Sequence, residues 1–146
     1  MILRLDAVRE RLIAHIPVLS RIGNAADFAD LVEKDRLPQV TPAAFVSFGG
    51  LIGGQADVAA GMFRQHYSEG VAVVLMDRFQ SDPRGDQALR DMSPMVGDVI
   101  DAVAGWGPDD AVGVFQLAQA DLVGAKNGVL VFQIDFQLND QLRITR

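Results

Sequence analysis

The densest group of chemically capable side chains is His66-Tyr67-Ser68-Glu69, where an imidazole beside a hydroxyl could act as base and nucleophile. That chemistry needs the serine on a strained strand-to-helix turn that exposes its Oγ, and no such elbow surrounds Ser68. Adjacent strand residues point to opposite faces, so the four read as the polar end of a strand entering the apolar run Val71 to Met76. Asp98 with Asp101, and Asp109-Asp110, could do acid-base work or hold a hard cation. The first pair shares one side of a helix with no histidine placed beside it, and reads as a solvated face. Gly49, Gly50, Gly53 and Gly54 could let backbone N–H groups approach a phosphate. No lysine followed by serine or threonine accompanies them, the spacing is not GxGxxG, and no helix follows to aim its N-terminus. The stretch Gly49 to Gly61 is therefore expected to be a flexible loop. Trp106 reads as a core anchor at a helix end.

Composition narrows the chemistry further. The 146 residues include no cysteine and only two histidines, His15 and His66, which excludes thiol catalysis, thiolate zinc sites and disulfides and leaves no metal-ligand pattern. No catalytic, cofactor-binding or metal-binding residue is assigned. Thirteen basic residues against nineteen acidic ones give a net charge of −6, opposite to the footprint of a domain that grips phosphates. Eleven of the bases are arginine, the better group for interface ion pairs, although arginine-rich codon usage explains the excess equally well. Arg4, Asp6, Arg9, Glu10 and Arg11 interrupt the N-terminal apolar run, unlike a signal peptide, and no segment nears the roughly 20 apolar residues of a membrane span. The length suits one domain, residues 1–146, placed in the cytoplasm where it is made.

These residues need elements to position them. Residues 2 to 16 read as a helix with Leu5, Val8, Leu12 and Ile16 inward and Arg4, Glu10 and Arg11 left for solvent, ended by Pro17. A short strand, Val18 to Gly23, leads to Asn24 as N-cap of a helix from Ala25 to Lys34. Pro38 and Pro42 bracket a turn before a strand from Ala43 to Phe48, and Met62 to Phe79 is a strand whose Val71 to Met76 segment suits the centre of a sheet. Ser81 to Gly85 reads as a turn. Asp86 to Gly105 is helical through Leu89, Met92, Val96, Ile100 and Val103, and Pro94 either starts a fresh helix or kinks a long one. Gly113 to Val123 reads as a weaker strand with Phe115 and Leu117 on opposite faces. Asn127-Gly128 is a hairpin turn into Val129 to Asn139, which alternates strictly with Leu130, Phe132, Ile134, Phe136 and Leu138 on one face. The sum is an α+β domain, a mostly antiparallel β-sheet flanked by helices with a C-terminal β-hairpin. The alternating strand near the chain's end offers an edge for pairing with a neighbour, and head-to-tail contacts close a ring when the rotation closes.

The succession LRLDAVRERLIAHIP, VLSRIGNAADFADLVE, PAAFVSFG, EGVAVVLMD, AVAGWGPDD and GVLVFQIDFQL resembles the tail terminator proteins of long-tailed bacteriophages, including the Mu-like group. The most telling pieces are Pro42 to Phe48, Gly105 to Pro108 and Phe132 to Phe136. The resemblance implies a non-enzymatic structural protein of the virion, without cofactor, forming a hexameric ring. Such a ring sits on the tail tube protein, stops tube growth and joins the tail to a head connector or stopper protein. It is assembled in the bacterial host cytoplasm and placed at the head-tail interface, with DNA passing its lumen without specific binding. Another head-tail joining or tube component is the nearest alternative. A small α+β enzyme or ligand-binding module using the Gly49 to Gly61 stretch and His66 is a third reading.

Overall fold

A computed structural model describes residues 2–19, 21–34, 38, 41–79, 86–126 and 128–146. The first helix, α1 (Leu5–His15), buries Val8 and Leu12 completely, and Ile16 just past its end stays in the core. Pro17 follows, where the chain cannot continue helically. The strand expected from Val18 forms as β1 (Arg21–Gly23), and α2 (Ala25–Glu33) starts at Asn24. There the Asp27 N–H donates to Asn24 Oδ1 at 3.0 Å and the Asn24 N–H donates to Asp27 Oδ2 at 2.9 Å, a reciprocal cap for two otherwise orphaned donors.

Two long strands follow, β2 (Ala43–Ala59) and β3 (Met62–Arg78), then α3 (Asp86–Val103), β4 (Phe115–Lys126) and β5 (Val129–Thr145). The sheet order is β1-β2-β3-β5-β4, and only the β1–β2 pairing is parallel. The C-terminal hairpin expected from sequence is β4–β5, with Gly128 at φ 75° in its turn. Asn127, the Ser81 to Gly85 turn and the centre of the Pro38 to Pro42 turn lie outside the described residues.

Helices cover both sheet faces, which is why Val71 to Met76 is apolar throughout. On one face Val71, Val73 and Leu75 join Ala44, Val46, Ile134, Phe136 and Leu138 under α1 and α3. On the other, Val74 and Met76 join Ala43, Phe45 and Val129 under α2, whose Phe28 ring lies 5.7 Å from that of Phe45. Each fully buried valine, leucine or isoleucine among them contributes roughly 1.5–3 kcal/mol. Helix α3 is a single helix with Pro94 inside it, because Met92 before the proline and Met95, Val99 and Val103 after it pack into one core.

Three sequence expectations are corrected. The stretch Gly49 to Gly61 is not a loop: β2 runs through it to Ala59, and Ala60-Gly61 alone turns the chain into β3. Phe115 and Leu117 stand opposite Leu138 and Phe136 on a common face; cover, not orientation, separates them, since Phe115 is buried and Leu117 exposed. Arg4 is not left for solvent but is 5% exposed, and Arg11 is half-buried.

Candidate assembly surface

The residues that looked chemical are dispersed. Asp98 and Asp101 lie exposed on α3, and Asp109 is exposed in the loop after it. His15 is exposed, its Nδ1 2.9 Å from the Arg11 carbonyl oxygen. His66 is exposed on the arm described below and lines an open groove of about 710 Å³ with Ile52, Ser68, Val112 and Asn139. Among the described residues the only carboxylate lining that groove is Asp140, opposite Tyr67 in the strand register and so on the sheet face away from His66. Its Oδ2 accepts from Arg4 Nη2 at 2.8 Å, so it does not orient the imidazole. Among the described residues no group of three metal-capable side chains occurs. Trp106 is half-buried; its ring stacks on Phe115 at 6.0 Å and lies 5.0 Å under the Arg11 guanidinium, which also donates through Nε to the Ala102 carbonyl at 2.8 Å.

What sequence reasoning missed is the cluster around Arg4. Its Nη1 donates to Glu69 Oε1 at 2.8 Å and to Tyr67 Oη at 3.1 Å, and its backbone N–H donates to Glu69 Oε2 at 2.7 Å. Glu69 is 0% exposed, and its carboxylate sits at the start of α1, where the helix dipole favours negative charge. Asp110 adds a looser contact at 3.5 Å. Burial pushes the Arg4 guanidinium toward neutrality, yet the hydrogen bonds to Tyr67 and Glu69 prevail and hold it above its ordinary range. A raised value keeps the cation at every working pH, so the arginine's part in folding is not lost by titration. The cluster ties the start of α1 to β3, β5 and the loop before β4 at the level where the helices end.

Beyond that level the sheet continues alone. The distal halves of β2, β3 and β5 form a three-stranded arm, paired from Leu51↔Glu69 to Ala59↔Met62 and from Ser68↔Asn139 to Met62↔Thr145. Along β3 from Gly70 to Met62 it reaches ~26 Å at about 3.3 Å per residue. Residues 51 to 61 are exposed throughout, including Ile52 at 71% and Val58 at 72%. At the arm's base Gly49 and Gly70 touch backbone to backbone: a Cβ on Gly70 would lie 2.8 Å from the Gly49 oxygen. Gly50 beside them takes φ 107° at a register irregularity, a conformation that favours glycine.

The sheet face turned away from α1 and α3 is polar where α2 does not cover it. Gln133, Asp135 and Gln137 of β5 lie opposite Asp121, Gln119 and Gln116 of β4 in register, with Asn139 next along β5. The side chains pair along the strands, Gln133 Nε2 to Asp135 Oδ1 at 2.8 Å and Gln137 Nε2 to Asn139 Oδ1 at 3.2 Å. The molecule therefore presents an uncovered arm, an acid- and amide-lined sheet face and no converged catalytic group among the described residues. No helix among them is long and apolar enough to cross a membrane. No individually curated protein matches the chain. The model of the phage tail terminator protein family matches residues 1–146, the whole chain, and the protein thus belongs to that family of structural phage tail proteins.

Proposed function

We propose that the protein caps the phage tail tube as a homo-hexameric ring, stops tube growth and presents its other side to a head connector or stopper protein. The family match over residues 1–146 carries this reading. The arm supports it: a sheet uncovered on both faces buries little apolar surface of its own and gains stability from a partner. The ring needs no cofactor and performs no reaction; its work is geometric. The polar face with Asp121 and Asp135, in a chain of net charge −6, suits a lumen that repels phosphate while DNA slides through.

The test is electron microscopy of the purified protein with preformed tubes of its tail tube protein. Capped tubes that no longer elongate, with rings of about six times the chain mass, are the expected result. Tubes that grow on unchanged would overturn the reading, and polymerisation of the protein itself into tubes would assign it as a tube component.

A further inference from the structure

Three long stretches of sheet edge have no strand partner among the described residues: the outer side of β2 beyond its short pairing with β1, which ends at Phe45; the outer side of β4 from Gln116 to Lys126; and the outer side of β5 from Asn139 to Thr145, past the end of its pairing with β4. At Phe115 the edge is already closed, its N–H donating to the Trp106 carbonyl and its carbonyl accepting from the Gly105 N–H, both at 2.8 Å. Proteins blunt such edges with proline, charge or brevity, because an open row of N–H and C=O groups recruits further strands. The β5 stretch is the shortest of them and carries Asp140 and Arg143, whereas between Gly49 and Ala59 the one charge is Asp57, and neither the β2 nor the β4 stretch holds a proline. The β2 and β4 strands are each interrupted by two irregularities at similar intervals, Phe48/Gly50 and Gly53/Ala56 on β2, Leu117/Gln119 and Leu122/Gly124 on β4.

Resting on the ring reading above, we infer that the free β2 edge of one copy pairs antiparallel with the β4 edge of the next, so that one sheet runs continuously around the assembly. Direction follows from symmetry. Strands alternate β2 up, β3 down, β5 up, β4 down, and rotation preserves direction, so β4 meets the next copy's β2 antiparallel. Height follows from tilt. Edge β4 flanks the helix-covered body and the free part of β2 flanks the arm, so the two meet when strands incline to the ring axis, as closed sheets do by roughly 35–45°.

Side chains agree with that pairing. The register puts Leu51 and Val58 on the same sheet face as Leu117 and Leu122, exposed by 42%, 72%, 46% and 46% in turn. A rotation shows this face of every copy to the same side, so the four become cross-strand apolar neighbours. Charge agrees at the scale of the whole faces. Residues 86 to 121 hold seven acids and one base, whereas the arm's far end holds Arg143 and Arg146 beside the Asp57–Arg64 pair, so arm against body brings opposite signs together. Contact between two different surfaces is the heterologous kind that builds rings.

The absence of cysteine makes the contact directly readable. Leu51→Cys and Leu122→Cys variants are mixed, alone and on capped tubes, and treated with a short bifunctional maleimide; Val58→Cys with Leu117→Cys forms an independent second pair. A link joining a β2 cysteine to a β4 cysteine in the mixtures, with none in any variant by itself, is the expected outcome. Self-linking of either variant, or capped tubes that give no mixed link with either pair, overturns the edge pairing while leaving the capping role intact. Failure of the unmodified protein to cap tubes counts against the proposed function instead, and open filaments carrying the mixed link would uphold the pairing but not ring closure.

Discussion

Arg4 shows how much one side chain can anchor. Removing it strands Glu69, 0% exposed, without its cationic partner, and breaking a buried pair in this way costs about 3–5 kcal/mol. Arg4→Ala should lower the melting temperature by roughly 10 °C, given about 2–4 °C per kcal/mol for a chain near this size. Asp110→Ala, at the exposed edge of the same cluster, should change stability by less than about 1 kcal/mol. Urea unfolding of both variants checks the contrast; equal effects would show that the cluster is not the tie described. The cluster was legible in phase, though not in residue type. Arg4 lies four residues before Val8 and eight before Leu12, Glu69 is in step with Val71 and Val73, and Asp140 is in step with Leu138 and Leu142. Reading charge as exposure hid it. Three charged residues falling on inward phases were the available clue that they must meet.

At the scale of elements, periodicity worked wherever one side of an element is covered. The alternation of Val129 to Leu138 and the helical stripe from Met92 to Val103 appear where expected because both bury one face against the core. It failed for Gly49 to Ala59, where neither face is covered, so no alternation is selected and the glycines alone speak. That strand is held by its pairing with β3, information that lies elsewhere in the chain. The distal part of β5 was also missed, although Leu142 and Ile144 continue the inward phase of Leu138. Hydrogen exchange separates strand from loop: the paired amides of Met62 to Gly70, between β2 and β5, should exchange slowly in the isolated protein. Uniformly fast exchange there would contradict the arm. Gly70→Ala should force the strands apart at the arm's base, where the Gly49 oxygen stands 2.8 Å from the new Cβ, costing about 1–3 kcal/mol in urea unfolding and loosening the hairpin's amides.

For the whole molecule, the family and the fold class were readable because segment order and the hairpin survive in sequence, whereas the arm was not. The surplus of arginine, neutral as a statistic, has local uses: Arg4, Arg9, Arg11 and Arg78 each bridge separate elements, Arg9 Nε to the Ile22 carbonyl at 2.9 Å and Arg78 Nη2 to that of Pro38 at 2.9 Å. The net charge of −6 belongs to the body: residues 86 to 121 alone hold an excess of six acids, and the remainder is balanced. The purified protein should therefore leave duplex DNA unretarded in a gel at physiological salt, and retardation there would contradict the proposed passage without binding.

One contact bears on how any of this is measured. The Arg146 N–H donates to the Gly61 carbonyl at 2.8 Å, and Thr145 pairs with Met62, so Arg146 lies at the tip of the arm. An affinity tag fused after Arg146 would emerge at that tip, separated by β3 from the β2 edge proposed to meet the next copy. A tag before Ile2, which is exposed near the foot of α1, leaves the tip clear. Assembly assays on the two fusions are not interchangeable, and a difference between them would itself report where the arm goes.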